Sequence, residues 1–171
     1  YLCAVLLKKF GMAIPLGITC STVGATIVGI IIGWFCVRLT HVYFAMLTMA
    51  FGQLVWAVVY RWRYVGADTG IIGVPGLGSP VDFYFLVLIL LSISILAIYT
   101  IVSSPFGRVL VGTRESEIRS SFIGINVQKQ QLVGFVISAF FSGLAGSLFV
   151  ILNGIAYPDI LTWVYSGQVL V

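Results

Sequence analysis

Four long apolar stretches dominate the chain, Met12 to Val37, Val42 to Tyr60, Phe83 to Val102 and Leu132 to Leu152, and polar residues, glycine and proline gather between them. About 20 mostly apolar residues cross the hydrocarbon core as a helix, so each stretch predicts a transmembrane span. Tyr1 to Leu7 reads as the tail of an earlier span and Gln168 to Val171 as the start of a later one. The sequence opens without an initiator Met and stops inside an apolar run, so we read it as an internal piece of a longer chain, with any signal or targeting segment elsewhere. A broken or re-entrant segment over Val42 to Tyr60 is the alternative to a straight crossing there.

Composition sharpens this reading. Charged residues make up 8% of the chain and hydrophobic residues 60%, whereas about a quarter of a soluble protein is charged. The predicted fold class is therefore an all-α membrane protein, a polytopic transmembrane helix bundle in contact with membrane lipid. The net charge of +4 is nine basic less five acidic residues, and the basic ones, divided among several short loops, make no basic face for nucleic acid.

The linkers differ in kind. Arg61 to Asp82, "RWRYVGADTGIIGVPGLGSPVD", is rich in Gly and Pro and predicts an irregular loop. Ile155 to Gly167 is a shorter loop with Pro158 and three aromatic residues. Ser104 to Lys129 holds six of the chain's charged residues and has no Pro after Gly107, so it has helical character. An Arg at the centre of a span costs about 2.5–3.5 kcal/mol, so this segment must be wet or covered by a soluble partner. Its Arg108, Arg114, Arg119 and Lys129 make it the cytoplasmic candidate. The aromatic residues Tyr60, Trp62, Tyr64, Tyr84, Tyr157, Trp163 and Tyr165 then fall near the outer interface.

On a single helix, Val111, Ile118, Phe122 and Ile125 form one stripe interrupted by Glu115, with Arg114, Glu117, Arg119 and Ser121 over the rest. Such a helix suits either a groove on another protein or the lipid headgroups. In the last span, Gly134, Ser138, Ser142 and Gly146 recur every four residues, with Ala139, Gly143 and Ser147 on the adjoining ridge. Small residues at that spacing let helices approach closely, and Gly29 and Gly33 repeat the device in the first span.

Enzyme chemistry finds little support. Asp68-Thr69-Gly70 spells the DTG of aspartic proteases, but no second such motif supplies the paired carboxylate. "GIIGVPGLGS" lacks the GK[ST] of a phosphate-binding loop, so the chain has no ATP site of its own on this reading. His41 is the only histidine. Cys3, Cys20 and Cys36 show no metal-ligand spacing and read as core- or lipid-facing thiols, so no metal and no cofactor are expected. No ionisable residue lies at mid-depth in a span, as a proton-coupled transporter would need. The polar residues inside the spans are expected mostly to hydrogen-bond neighbouring helices. Thr48 and Gln53, with Tyr43 earlier on the same helix, are the candidates for a solute pathway.

"SPFGRVLVGTRESEIRSSFIGINV" followed by "QQLVGFVISAFFSGLAGSLF" resembles the cytoplasmic coupling loop and next helix of the branched-chain amino acid permeases of ABC importers, of the LivM type. "VYFAMLTMAFGQ" (Val42 to Gln53), "GADTGIIGVPG" (Gly66 to Gly76) and "YPDILTW" followed by "SGQ" are similar to that family in the same order. The resemblance implies that residues 1–171 are part of one permease domain, with 104–129 its cytoplasmic coupling loop. It implies a bacterial inner membrane setting and several partners: a second related permease, two ATPase subunits that use ATP and Mg, and an external solute-binding protein. The residues that would meet the ATPase are Arg114, Glu115, Glu117, Ile118, Arg119, Phe122, Gly124 and Asn126, with Gly124 allowing a sharp turn and Asn126 capping a helix. The chain departs from the family in Arg119 and Ser120, where two alanines are usual, in Ser121, where an acidic residue is usual, and in His41, where Gly is usual. Urea permeases share the pattern, so the solute is a branched-chain amino acid or a similar small polar molecule. A self-contained channel or secondary transporter is the rival reading.

Overall fold

The computed structural model describes residues 1–39, 42–62, 70–76 and 80–162. A short helix α1 (Leu2–Phe10) turns into α2 (Ile14–Cys36), followed by α3 (Val42–Arg61), strand β1 (Ile71–Ile72) and α4 (Pro80–Ser103). Two short helices, α5 (Pro105–Glu115) and α6 (Glu117–Phe122), lead into α7 (Val127–Asn153), strand β2 (Ile155–Ala156) and a 3₁₀ turn at Pro158–Leu161. Helices α2, α3, α4 and α7 are each long and apolar enough to cross a membrane. The all-α, multi-span expectation holds, and α3 is one unbroken helix over Val42–Arg61 rather than a broken segment.

The centre of the fold is the antiparallel packing of α2 against α7. The two helices are drawn together by small residues: a Cβ at Gly29 would stand 2.5 Å from the Cβ of Ala139, and one at Gly143 would stand 2.7 Å from that of Ala25. Without a hydrophobic drive between helices in lipid, such close backbone approach supplies the attraction through dispersion. The face that α7 turns to α2 is therefore the ridge of Ala139, Gly143 and the buried Ser147. On the neighbouring stripe, Gly134 faces Leu110 of α5, while Ser138, Ser142 and Gly146 lie exposed.

Hydroxyls within the spans turn inward to their own helices. Thr22 donates to the Ile18 carbonyl at 2.7 Å, Thr48 to Ala45 at 2.8 Å, Ser94 to Leu90 at 2.7 Å and Ser147 to Leu144 at 2.7 Å. This corrects the expectation of bonds between helices. A hydroxyl reaches the carbonyl three or four residues back without any partner, which is the shorter route to satisfaction in a span.

At the end of the bundle opposite α5 and α6, β1 pairs antiparallel with β2, Ile71 against Ala156 and Ile72 against Ile155. Val74 N–H donates to the Gly154 carbonyl at 3.0 Å, and the Lys8 ammonium donates to the Ile72 carbonyl at 2.6 Å. The glycine-rich linker is thus tied to the end of α7 and to α1 rather than being irregular throughout. Its apolar side completes a small core of Cys3, Leu7, Ile18, Ile71, Val74 and Val150. Cys3 and Cys36 are buried, Cys20 is exposed, and all three are free thiols.

Helices α3 and α4 contain no buried residues among those described. Helix α3 reaches α2 through Phe51 on Phe35 and α7 through Phe44 on Phe135, both as ring contacts. His41, Asp68 and Thr69, together with the aromatic residues Tyr64, Trp163 and Tyr165 and the segment Gln168 to Val171, lie outside the described residues.

Candidate functional site

The charged segment is built from three consecutive caps. Ser104 ends the turn out of α4 and accepts a hydrogen bond from Gly107 N–H at 3.4 Å, with Pro105 opening α5 where no N–H is missed. Ser116, in an extended conformation, stops α5 and starts α6, its hydroxyl accepting from Arg119 N–H at 3.3 Å. Asn126 does the same for α7, its side-chain oxygen accepting from Lys129 N–H at 3.1 Å.

Between α6 and α7 the chain reverses at Gly124, which has φ of +84°. Gly124 N–H donates to the Ser121 carbonyl at 3.0 Å and Ile125 N–H to the Ser120 carbonyl at 3.2 Å. This is the paired bonding of a Schellman motif, in which the left-handed residue is nearly always glycine. The roles that the resemblance implied for Gly124 and Asn126, a sharp turn and a cap, are those the geometry displays.

The single stripe-bearing helix gives way to two helices. Ser116 breaks it, so Val111 stays on α5, and Ile125 falls in the turn, half-buried. What α6 presents instead is a compact apolar ridge, with Ile118 and Phe122 four residues apart on one face and 70% and 86% exposed. Ile123 follows at 78% exposed. Arg114 and Glu115 stand exposed at the end of α5 and Arg119 is exposed on α6, so charges of both signs neighbour the ridge along the chain.

The opposite side of α6 is closed. Ser120 is buried, and its hydroxyl donates to the Ser116 carbonyl at 3.0 Å. Glu117 is half-buried, unlike its charged neighbours, and accepts a hydrogen bond at 2.9 Å from the side-chain amide of Gln131, one turn into α7. Sequence reasoning missed Gln131, because nothing in a polar residue at a helix start reveals a partner fourteen residues earlier. A break at Ser116 was in principle readable, since a serine ahead of a first-turn Glu is a helix-start signal.

The pathway candidates do not converge. Residues five apart on a helix are turned by about 140°, so Tyr43, Thr48 and Gln53 occupy three faces of α3. Tyr43 is exposed, and Thr48 and Gln53 are half-buried. Among the described residues no group of three His, Cys, Asp or Glu side chains is placed to hold a metal.

Comparison with known proteins accords with this architecture. The model of the family described as branched-chain amino acid transport system / permease component matches residues 1–171. The high-affinity branched-chain amino acid transport system permease protein LivM of Escherichia coli (strain K12) is 26% identical over 201 residues, covering 99% of this chain and 47% of that protein. Its counterpart LivM of Salmonella typhimurium (strain LT2) is 28% identical over 173 residues, covering 83% of this chain and 41% of that protein. The chain thus spans about half the length of the curated relatives it matches. No solved structure gives a significant match. With four apolar spans and a family of transport permeases, it is an integral multi-pass protein of the bacterial inner membrane. Matched from end to end by that family model, the chain belongs to the branched-chain amino acid transport permease family.

Proposed function

We propose that the chain forms part of the membrane-spanning permease of an ABC importer for branched-chain amino acids, with residues 104–129 as its cytoplasmic coupling loop. The observation that carries this reading is the exposed apolar ridge of Ile118, Phe122 and Ile123, carried on a capped two-helix segment that also exposes Arg114, Glu115 and Arg119. Aromatic and aliphatic side chains left in water are costly and are covered where a partner supplies a groove. Headgroup binding fits less well, because exposed Glu115 and Arg119 stand beside the ridge together rather than forming a purely basic face.

In this reading the chain moves a solute and performs no bond chemistry itself. ATP and Mg belong to two separate ATPase subunits, a second permease completes the pathway, and a solute-binding protein delivers from outside. Closure of the ATPase pair pushes α5 and α6, and the packed α2 and α7 pair shifts around the path. The amino acid class rests on the family and on what the two LivM relatives are named to carry.

The test uses the full-length permease, purified in mild detergent with its partner subunits. Phe122→Asp is expected to leave membrane insertion unchanged and to lower the ATPase recovered per permease about tenfold, a loss typical of an interface anchor. Full recovery of the ATPase with Phe122→Asp, or no ATPase with the wild type, would refute the docking role.

A further inference from the structure

Glu117 and Gln131 stand apart from the rest of the charged segment. Among the described residues theirs is the one side-chain hydrogen bond that joins α6 to α7, at 2.9 Å and partly buried. Every other cap and turn in the segment binds backbone locally, within five residues. The Schellman turn at Gly124 fixes how the chain reverses, but a turn between two helices leaves a hinge. A carboxylate bonded across that hinge removes the freedom, since bonds to a charged acceptor are about twice as strong as neutral ones.

Resting on the importer reading above, we propose that Gln131 is a positioning residue which, through Glu117, locks α6 to α7, so that a push on the exposed ridge moves α7 as one body. The role of Glu117 is then internal: it is turned toward α7 and half-buried, while Ile118 and Phe122 face out. The link continues through the fold. Helix α7 is wedged against α2 at Ala139 and Gly143, and its far end is stitched to β1 by the Ile71–Ala156 and Ile72–Ile155 pairing. Movement that enters at Glu117 leaves at the opposite end of the bundle. The adjacent Gln130 supplies a control, because its side-chain carbonyl is buried with no hydrogen-bond partner among the described residues.

The experiment follows α7 directly. The full transporter, reconstituted in lipid vesicles, carries Leu152→Cys on the exposed last turn of α7 and Cys20→Ser to remove the exposed native thiol. Labelling by N-ethylmaleimide is timed with and without ATP, Mg and vanadate. The wild-type pair is expected to show an ATP-dependent change in labelling rate of about fivefold, and Gln131→Glu, which sets two carboxylates face to face, to bring it below about twofold with the ATPase still bound.

Adding Glu117→Gln to Gln131→Glu recreates the bond with donor and acceptor exchanged and is expected to restore the change. Gln130→Leu should leave it intact. An exchange variant no better than Gln131→Glu alone, or a wild-type response in Gln131→Glu, overturns the proposal and leaves the importer reading standing. A wild-type complex without any ATPase overturns that reading itself, and the proposal with it.

Discussion

Gly29 and Ala139 meet so closely that the contact has room for one methyl group and no more: a Cβ at position 29 would stand 2.5 Å from the one at 139. Gly29→Ala should therefore force α2 and α7 apart and cost about 1–3 kcal/mol, as overpacked contacts do. Moving the methyl from one helix to the other, with Ala139→Gly added, should recover most of the loss. Thermal denaturation of the full-length permease in detergent measures both, and a double variant no more stable than Gly29→Ala would refute the account.

The turn at Gly124 orders three substitutions by strain. Gly124→Asn should cost least, since Asn enters the left-handed region more readily, and Gly124→Ala about 1–2 kcal/mol. Gly124→Pro should cost most, because it also removes the N–H that donates to the Ser121 carbonyl. Limited trypsin digestion at Arg119 reads this order as increasing cleavage rate with the protein still in the membrane. Equal rates across the series would mean that the turn does not hold α6 in place.

Asn126 caps α7, the helix that leaves the charged segment for the β1–β2 end of the bundle. Asn126→Ala should cost about 1 kcal/mol and Asn126→Asp almost nothing, since the carboxylate accepts the same bond from Lys129. The effect is local to the first turn, so hydrogen exchange at the Lys129 amide is the measurement. Faster exchange with Ala but not Asp is expected.

Ile72 and Ile155 are directly opposite in the β1–β2 pair and both exposed. Opposed residues in an antiparallel pair have Cα atoms about 4.5–5.5 Å apart, within reach of a disulfide. Ile72→Cys with Ile155→Cys should crosslink under mild oxidation, seen as faster gel migration that dithiothreitol reverses. Failure to crosslink, or equal crosslinking of Ile72→Cys with Tyr157→Cys, would contradict the register.

The spans were legible in the sequence because lipid demands length and apolarity together, and the four helices begin and end within a few residues of the apolar stretches. Gly124 and Asn126 were singled out by the family resemblance, and the left-handed turn and the N-cap found there agree with it. Three features were not legible. The β1–β2 pair is two residues long on each side, too short to leave a period. The choice between the Gly134–Ser138–Ser142–Gly146 stripe and the Ala139–Gly143–Ser147 ridge depends on where Gly29 of α2 sits, and both rows look alike in sequence. Gln131 meets Glu117 only after Ser116 and Gly124 have set the angles between three helices.

The separation of α2 from α7 also bears on how the protein is made. Cys36 ends the first helix and Val127 begins the second, with α3 to α6 between them. At about 5–20 residues per second of synthesis, α2 waits several seconds in the bilayer before its main partner exists. During that interval Gly29 and Gly33 face lipid or passing helices, and the span must remain inserted on hydrophobicity alone. The apolar run around those glycines is thus a requirement of biogenesis as much as of the finished bundle.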